Sequence, residues 1–323
     1  MSNIIAKIGV YGDIHLNSKA YGAHRDYPKE CLEYFSNITG VTEKYQLTHL
    51  IGTGDFSFGR FHSLEFRDNL EKQLEKQYEL VKGNRYELFG NHDEAGYGMT
   101  ERDYYIKRGL LKKSCNLSLG NLNITMVDYG KHLETEPNII NDGKHINMVI
   151  AHDFFKFTNS QLANFGKAID LDGFEKWYGI DYLICGHVHK ILNFNGAIVK
   201  DGIPHNVYVH YPGCMTRPAY REGYLDEVGN MAIISVFDDG QVKYEIETMP
   251  LWPLDKSFNL TEKVKEQKKK QEKADRVDIS DIVKQLDSHD RNVGNPEDII
   301  RDMQDIDEKY KNKAIDLLKE ALG

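Results

Sequence analysis

The chain has 323 residues, 40% hydrophobic and 28% charged, which excludes global disorder and a disulfide-stapled scaffold and leaves room for one large domain plus something smaller. A formal net charge of −9 gives no global attraction for nucleic acid and excludes a large non-specific DNA-binding face unless basic residues cluster locally. No run of roughly eighteen apolar residues occurs, residues 1–10 lack the regions of a signal peptide, and Cys31, Cys115, Cys185 and Cys214 show no paired metal spacing, so a cytoplasmic protein with reduced thiols and no membrane span is expected.

Short β-rich apolar runs alternate with helical patterns, which points to an α/β fold. Residues 8–11 precede Gly12-Asp13, and residues 50–51 precede Gly52-Thr53-Gly54-Asp55. A connecting helix is predicted over 63–82, with Leu64, Leu70, Leu74 and Tyr78 available for its buried face. Residues 86–89 then precede Gly90-Asn91-His92, residues 148–151 run into His152-Asp153, and residues 182–185 run into Gly186-His187-Val188-His189. Further strands follow at 191–199 and 207–211, and 232–237 and 242–246 form a hairpin around Asp238-Asp239-Gly240.

Beyond Pro253 the composition shifts to polar helices, so a main domain over 1–254 and a charged helical C-terminal extension over 255–323 are expected. Ile299, Met303, Ile306, Tyr310, Ala314, Leu317 and Ala321 would align as one apolar stripe, suited to packing on the body or to docking on a partner helix. Basic pairs at Lys107-Arg108 and Lys112-Lys113 and the run 268–270 read more readily as solvated helix faces than as phosphate contacts.

Taken singly, Asp13-x-His15 and Gly54-Asp55 are ordinary turn chemistry. Jointly, five predicted strands end in order in carboxylate, imidazole or amide groups, and open α/β sheets place functional loops at the carboxyl ends of strands. Glycines 12, 54, 90 and 186 would let the chain turn sharply there. A polar core or unrelated turns would require five separate accidents. His24, His49, His62, His132 and His145 default to surface or structural roles, although His62 is near enough to Asp55 in sequence to line the same cleft.

This motif set resembles the calcineurin-like metallophosphoesterase superfamily, whose pattern is D-x-H, G-D, G-N-H-(D/E), a lone H and G-H-x-H. The resemblance implies a four-layer sandwich of two mixed sheets flanked by helices. It implies that Asp13, His15 and His189 hold one metal, that Asn91, His152 and His187 hold another, and that Asp55 bridges them. Two divalent ions about 3.5 to 4 Å apart can clamp the attacking and departing oxygens of a phosphoryl displacement, and each lowers the pKa of bound water so that hydroxide is available near neutral pH. Mixed oxygen and nitrogen ligands favour Mn²⁺, with Fe²⁺ or Zn²⁺ as the other ions they accept. His92, not required as a ligand, is assigned as general acid, and Asp93 either orients that imidazole or caps a turn.

Within the superfamily the chain is similar to the SbcD-type DNA-repair nucleases, through residues 209–217, the Asp238-Asp239-Gly240 hairpin and Met249-Pro250-Leu251. That resemblance covers roughly residues 4–254. It implies a Mn²⁺-dependent DNA exonuclease or endonuclease acting with an SbcC-type ATPase, with a homodimer as an open assembly. Two departures stand against a full transfer: Phe58 occupies the position of a family histidine, for which His62 would have to substitute, and the region after Leu254 is short for a DNA-capping domain. The alternatives are a stand-alone phosphodiesterase or phosphatase acting on nucleotides or small phosphoesters, and a silent binding or scaffold protein of the same fold.

Overall fold

The computed structural model describes residues 2–19, 24–58, 62–93, 99–158, 160, 168–217, 228–259, 261 and 315. A first compact unit spans Met1–Asn259 and a second spans Leu260–Gly323. The basic run 268–270 and all of the predicted apolar stripe at 299–321 lie outside the described residues, which in that segment include only Ile315.

The first unit is built on two mixed sheets. In one, β1 (Ile4–Tyr11), β2 (His49–Gly52) and β3 (Arg85–Glu87) run parallel, and the antiparallel pair β12 (Val228–Phe237) and β13 (Val242–Pro250) extends the other edge of β1. The other takes β4 (Asn116–Leu119), β5 (Leu122–Val127), β6 (Ile146–Ala151), β9 (Tyr182–Cys185), β10 (Leu192–Lys200) and β11 (Ile203–Tyr211) in the order β10-β11-β9-β6-β5-β4. Its middle strands β5, β6, β9 and β11 are parallel, and β4 and β10 pair antiparallel at the edges.

Period-two alternation decides which residues face which layer. Ile8 and Val10 of β1, with Ala232, Ile234 and Val236 of β12, point into the space between the sheets, where they meet Ile124, Met148, Ile150 and Ile184. Tyr11, Met231 and Ile233 point the other way and pack against helices. Each such large side chain contributes about 1.5–3 kcal/mol on burial.

Those helices are α1 (Tyr27–Tyr45) and α2 (Leu64–Leu80). Helix α1 starts at Asp26, whose carboxylate accepts the Lys29 N–H, and buries Tyr27, Cys31, Tyr34, Phe35 and Ile38. Its second half, Thr39-Gly40-Val41-Thr42, has poor helix propensity and is held by packing, while the Thr39 and Thr42 hydroxyls donate back to the Phe35 and Ile38 carbonyls. Helix α2 is where sequence predicts it, capped by Ser63, but its buried face is Phe66, Leu70, Leu74 and Gln77. Leu64 is 84% exposed and Tyr78 is 37% exposed. The helix therefore lies rotated from the predicted stripe, because the i, i+4, i+8 series that meets α1 begins at Phe66.

The strands β4 and β5 are among those absent from the sequence expectation. The β4–β5 hairpin turns at Gly120, and Leu122, Ile124 and Met126 of β5 reach the space between the sheets. The outer layer over the second sheet also differs from the expected helices. Among the described residues it consists of the short ribbon β7 (Phe155–Lys156) with β8 (Ile169–Asp170) and a 3₁₀ turn at Glu175–Trp177, with Phe155, Leu171 and Trp177 buried against β9 and β11. A short helix, α3 (Glu101–Lys107), follows Thr100, which caps it. The one-turn helix α4 (Leu254–Ser257) belongs to the first unit, where the Arg25 N–H donates to the Ser257 carbonyl. No described helix is long and apolar enough to cross a membrane. None of the four cysteines forms a disulfide.

One member of each basic pair makes a local contact. Arg108 is paired with Glu71 across the α2–α3 contact, and the Lys112 ammonium lies 5.4 Å from the Tyr86 ring centroid.

Candidate metal centre

Strands β1, β2 and β3 are parallel in one sheet and β6 and β9 in the other, and the loops that leave their carboxyl ends carry the predicted ligands. The loops that leave them are tied together by their backbones. The Thr53 N–H donates to Tyr11 O, Leu88 to Gly52 O, His15 to Asp55 O and Gly186 to Ala151 O. Segments far apart in sequence are thus fixed against one another before any side chain is considered.

Six non-glycine residues have a left-handed backbone among the described residues, and three of them are His15 (φ 49°), Asp55 (φ 51°) and His187 (φ 74°). Such strain persists only where the surroundings over-determine it, and it concentrates at functional sites. Gly54 (φ 109°) and Gly186 supply the room: a Cβ at Gly54 would lie 2.6 Å from the His152 ring, and one at Gly186 would lie 2.5 Å from Asp13 Oδ1.

The side chains form two adjoining sets. In the first, His189 Nε2 lies 3.2 Å from Asp13 Oδ2 and 2.9 Å from His15 Nε2. In the second, Asn91 Oδ1 lies 3.0 Å from His152 Nε2 and 2.7 Å from His187 Nδ1. Asp55 Oδ2 stands between them, 3.7 Å from His15 Nε2 and 3.4 Å from His152 Nε2. All seven predicted ligands are therefore brought together, and Asp13, His15, Asp55 and His189 present ligand atoms within 4.8 Å of one another.

The remaining hydrogen-bonding capacity is spent on aiming these groups. The Thr53 carbonyl lies 2.9 Å from His152 Nδ1, and since a carbonyl only accepts, the ring N–H is on that side and Nε2 faces the centre. The His187 N–H and the Thr53 hydroxyl donate to the Asp13 carboxylate, and the His92 N–H donates to Asp55 Oδ1 at 2.7 Å. Asp55 Oδ2 and His15 Nδ1 are buried with no hydrogen-bond partner. An orphaned carboxylate oxygen and two imidazole nitrogens facing each other are costly in isolation, whereas cations placed among them would satisfy both. The residues present fit a pair of divalent ions.

Electrostatics agree. Burial alone would raise the Asp13 and Asp55 carboxyls, but His152, helped by His189 at Asp13 and by His15 at Asp55, outweighs it and holds both below the usual carboxylate range. Burial opposes charge on His152, yet the Asp13 and Asp55 carboxylates raise it to about 9. Burial, then the neighbouring His189, lowers His15 to about 3, and burial, then His152, lowers His187. The cluster thus keeps two anions and two neutral imidazoles around one protonated ring, a proton that a metal cation would displace.

Beneath the loops lies a buried ion pair, Arg85 with Glu87 at 3.0 Å, both inaccessible to solvent. The Tyr11 hydroxyl donates to the same carboxylate, and Arg102 donates to the Glu87 carbonyl. Burial pushes Glu87 up, with Arg85 opposing. This pair links β1, β3 and α3 directly under Gly52.

His92 is exposed, with its ring 5.1 Å from that of His15 and 4.8 Å from that of Phe58. Asp93 does not orient it. The Asp93 carboxylate accepts the N–H groups of Phe56, Ser57 and Gly90, so it shapes the loops that carry Asp55 and Asn91. Three backbone donors converge there because the 3₁₀ turn Asn91–Asp93 folds the side chain inward. His62 does not reach the ligands either: its Nδ1 accepts from the Ser18 N–H and its ring packs on Phe66. His132 pairs with Asp153, and His145 with Asp142, as structural contacts.

Sequence reasoning passed over several neighbours. Tyr129 stacks on His187 at 6.0 Å, Phe154 lies 6.4 Å from the same ring, and Cys214 falls in a cluster with His15 and His189. Cys214 lies inside the 209–217 segment singled out above, and only its unremarkable spacing from other cysteines kept it out of the site.

Parallel strands that deliver carboxylates, imidazoles and an amide to one edge around two adjoining cation positions define a metal-dependent hydrolase of the phosphoesterase type. The profile described as calcineurin-like phosphoesterase matches residues 6–191, more than half of the chain, and the protein belongs to that family. Among solved structures, a dimetal phosphatase from Danio rerio matches at 11% identity and a TM-score of 0.43, covering 77% of this chain and 100% of that one. Vps29 from Chaetomium thermophilum matches at 12% identity and a TM-score of 0.29, covering 76% of this chain and 100% of its own. No curated protein matches in sequence. The family match and the geometry, rather than these two distant likenesses, identify the chain.

Proposed function

We propose that the protein is a two-metal phosphodiesterase acting on esters that carry a flat aromatic group beside the phosphate, such as nucleotides. The observation that carries this reading is Asp55 Oδ2, buried, without a hydrogen-bond partner, and within 3.7 Å of a ring nitrogen from each set. Asp13, His15 and His189 would hold one ion, Asn91, His152 and His187 the other, and Asp55 both, with Mn²⁺ favoured by this mixture of ligands. A bound pair of divalent ions would supply Lewis acidity at the phosphoryl oxygens and a water acidic enough to attack near neutral pH.

The chain's own groups do the rest. Asp55 ties the two halves together and, through Oδ1, pins the backbone of His92. His92, exposed with its ring 5.1 Å from that of His15, would give a proton to the departing ester oxygen. Phe58 supports its ring from one side. Tyr129 and Phe154, against His187, offer aromatic faces on which a base could stack.

DNA is the polymeric form of the same substrate chemistry. The nuclease reading, with an SbcC-type ATPase as partner, is supported by the 209–217 segment, which is built into the site: the Cys214 N–H donates to His189 O and the Met215 N–H to Asp13 O. A single panel separates the two. Purified protein with Mn²⁺ is assayed on a chromogenic phosphodiester, a chromogenic phosphomonoester, dinucleotides, and single- and double-stranded DNA. Turnover of the diester and dinucleotides in preference to the monoester is expected, DNA cleavage extends the reading to nuclease, and turnover of the monoester alone would reject it.

A further inference from the structure

We propose that Cys214 is a sulfur ligand held in reserve at the metal centre, one that engages thiophilic cations and so determines which metals the site retains. The inference rests on the two-metal reading and concerns a residue outside the predicted ligand set. The Cys214 sulfur lies with ring nitrogens of His15 and His189 in a group whose atoms are all within 4.8 Å of one another. Cys214 is 5% exposed, and the hydrogen-bonding contact of its sulfur is with the Thr216 hydroxyl, long at 3.9 Å.

The backbone keeps that sulfur in place. The Cys214 N–H donates to the His189 carbonyl at 3.2 Å, the next residue donates to the Asp13 carbonyl at 2.7 Å, and Asp13 and Cys214 form a β-bridge. The two strands of chain that carry His189 and Asp13 are therefore stitched to the residue that carries the thiol. An independent feature of the same place points to a cation: His15 Nε2 and His189 Nε2 face each other at 2.9 Å, while His15 Nδ1 is buried with no partner.

Hard ions such as Mn²⁺ and Mg²⁺ are satisfied by oxygen and imidazole and leave a thiol protonated, whereas Zn²⁺, Cd²⁺ and Co²⁺ form bonds to thiolate. When such an ion enters, the S–H bond breaks as the sulfur–metal bond forms, and the proton leaves to solvent. No electron is transferred. The centre would then hold soft ions more tightly than its oxygen and nitrogen ligands alone allow.

The test is an optical titration of the metal-stripped full chain with Co²⁺, in a Cys115→Ser background that removes the exposed cysteine thiol. Visible d–d bands report ligation by the carboxylates and imidazoles, and a near-ultraviolet sulfur-to-cobalt charge-transfer band reports the thiolate. Both are expected, and Cys214→Ser should abolish the second while keeping the first. It should also weaken Cd²⁺ binding by roughly tenfold or more, the scale on which even outer-shell partners act, without changing Mn²⁺ binding. Cys214→Ala serves as the second variant if the serine protein does not fold. Visible bands with no charge-transfer band, or a charge-transfer band that survives in both variants, overturns the inference and leaves the metal centre standing. Failure to bind Co²⁺ at all overturns both.

Discussion

When a chelator removes the cations, His152 remains between the Asp13 and Asp55 carboxylates, its Nε2 3.4 Å from Asp55 Oδ2 and its Nδ1 3.7 Å from Asp13 Oδ1. Those anions raise its pKa from 6.5 to about 9, against the cost of burial. A histidine whose pKa rises on folding binds its proton more tightly in the folded state. Its contribution is fully present below pH 6.5 and is lost as pH climbs through about 9. Asp13 and Asp55 stay ionised across that window and add no slope of their own. At about 1.4 kcal/mol per pH unit of difference, the loss is about 3 kcal/mol. For a unit of this size that corresponds to a fall of roughly 6–12 °C in Tm. Urea melts of chelated protein from pH 6 to pH 10 measure it. The same melts in saturating Mn²⁺ should lack this fall, because a cation then stands where the proton stood. His15 and His187, whose pKa values fall on folding, add stability as pH rises through 6.5 and nothing further above about pH 7.5, so chelated protein whose stability is flat or rising between about pH 7.5 and 9 would refute the placement of His152 between the two anions.

His92→Ala should lower kcat by roughly 10²- to 10⁴-fold, the usual contribution of a positioned acid, while metal binding measured by calorimetry stays unchanged. Arg85→Met leaves the Glu87 carboxylate buried without its counter-charge and should cost about 3–5 kcal/mol in chemical denaturation. Leu70→Ala should destabilise by about 2–5 kcal/mol because Leu70 is fully buried between α1 and α2, whereas Leu64→Ala should stay within about 0.5 kcal/mol.

The ligand positions were legible because each is written locally, as an apolar strand, a turn and then a carboxylate, imidazole or amide. Their order along the chain maps directly onto neighbouring parallel strands, whose carboxyl ends carry the loops that gather the polar groups. Helix α1 was not legible, because Thr39-Gly40-Val41-Thr42 reads against a helix and only burial of Phe35, Ile38 and Tyr34 overrides it. The face of α2 was misread because Leu64 and Phe66 are both apolar and only contact with α1 chooses between them. Asp93 presents the same limit: a carboxylate beside a functional histidine suggests a partner for it, and only the fold shows three backbone donors reaching it first. Cys214 enters the cluster through backbone pairing with Asp13, a contact between segments from opposite ends of the domain that no local pattern encodes.

The most direct test of the two-metal account is the number of Mn²⁺ ions bound per chain, measured on the full protein by titration calorimetry and elemental analysis, for the wild type and for Asp55→Asn. Two ions in the wild type, and the loss of at least one when the shared carboxylate becomes an amide, is the predicted result. A single ion in the wild type, or an Asp55→Asn protein that still binds two with undiminished affinity, would contradict it.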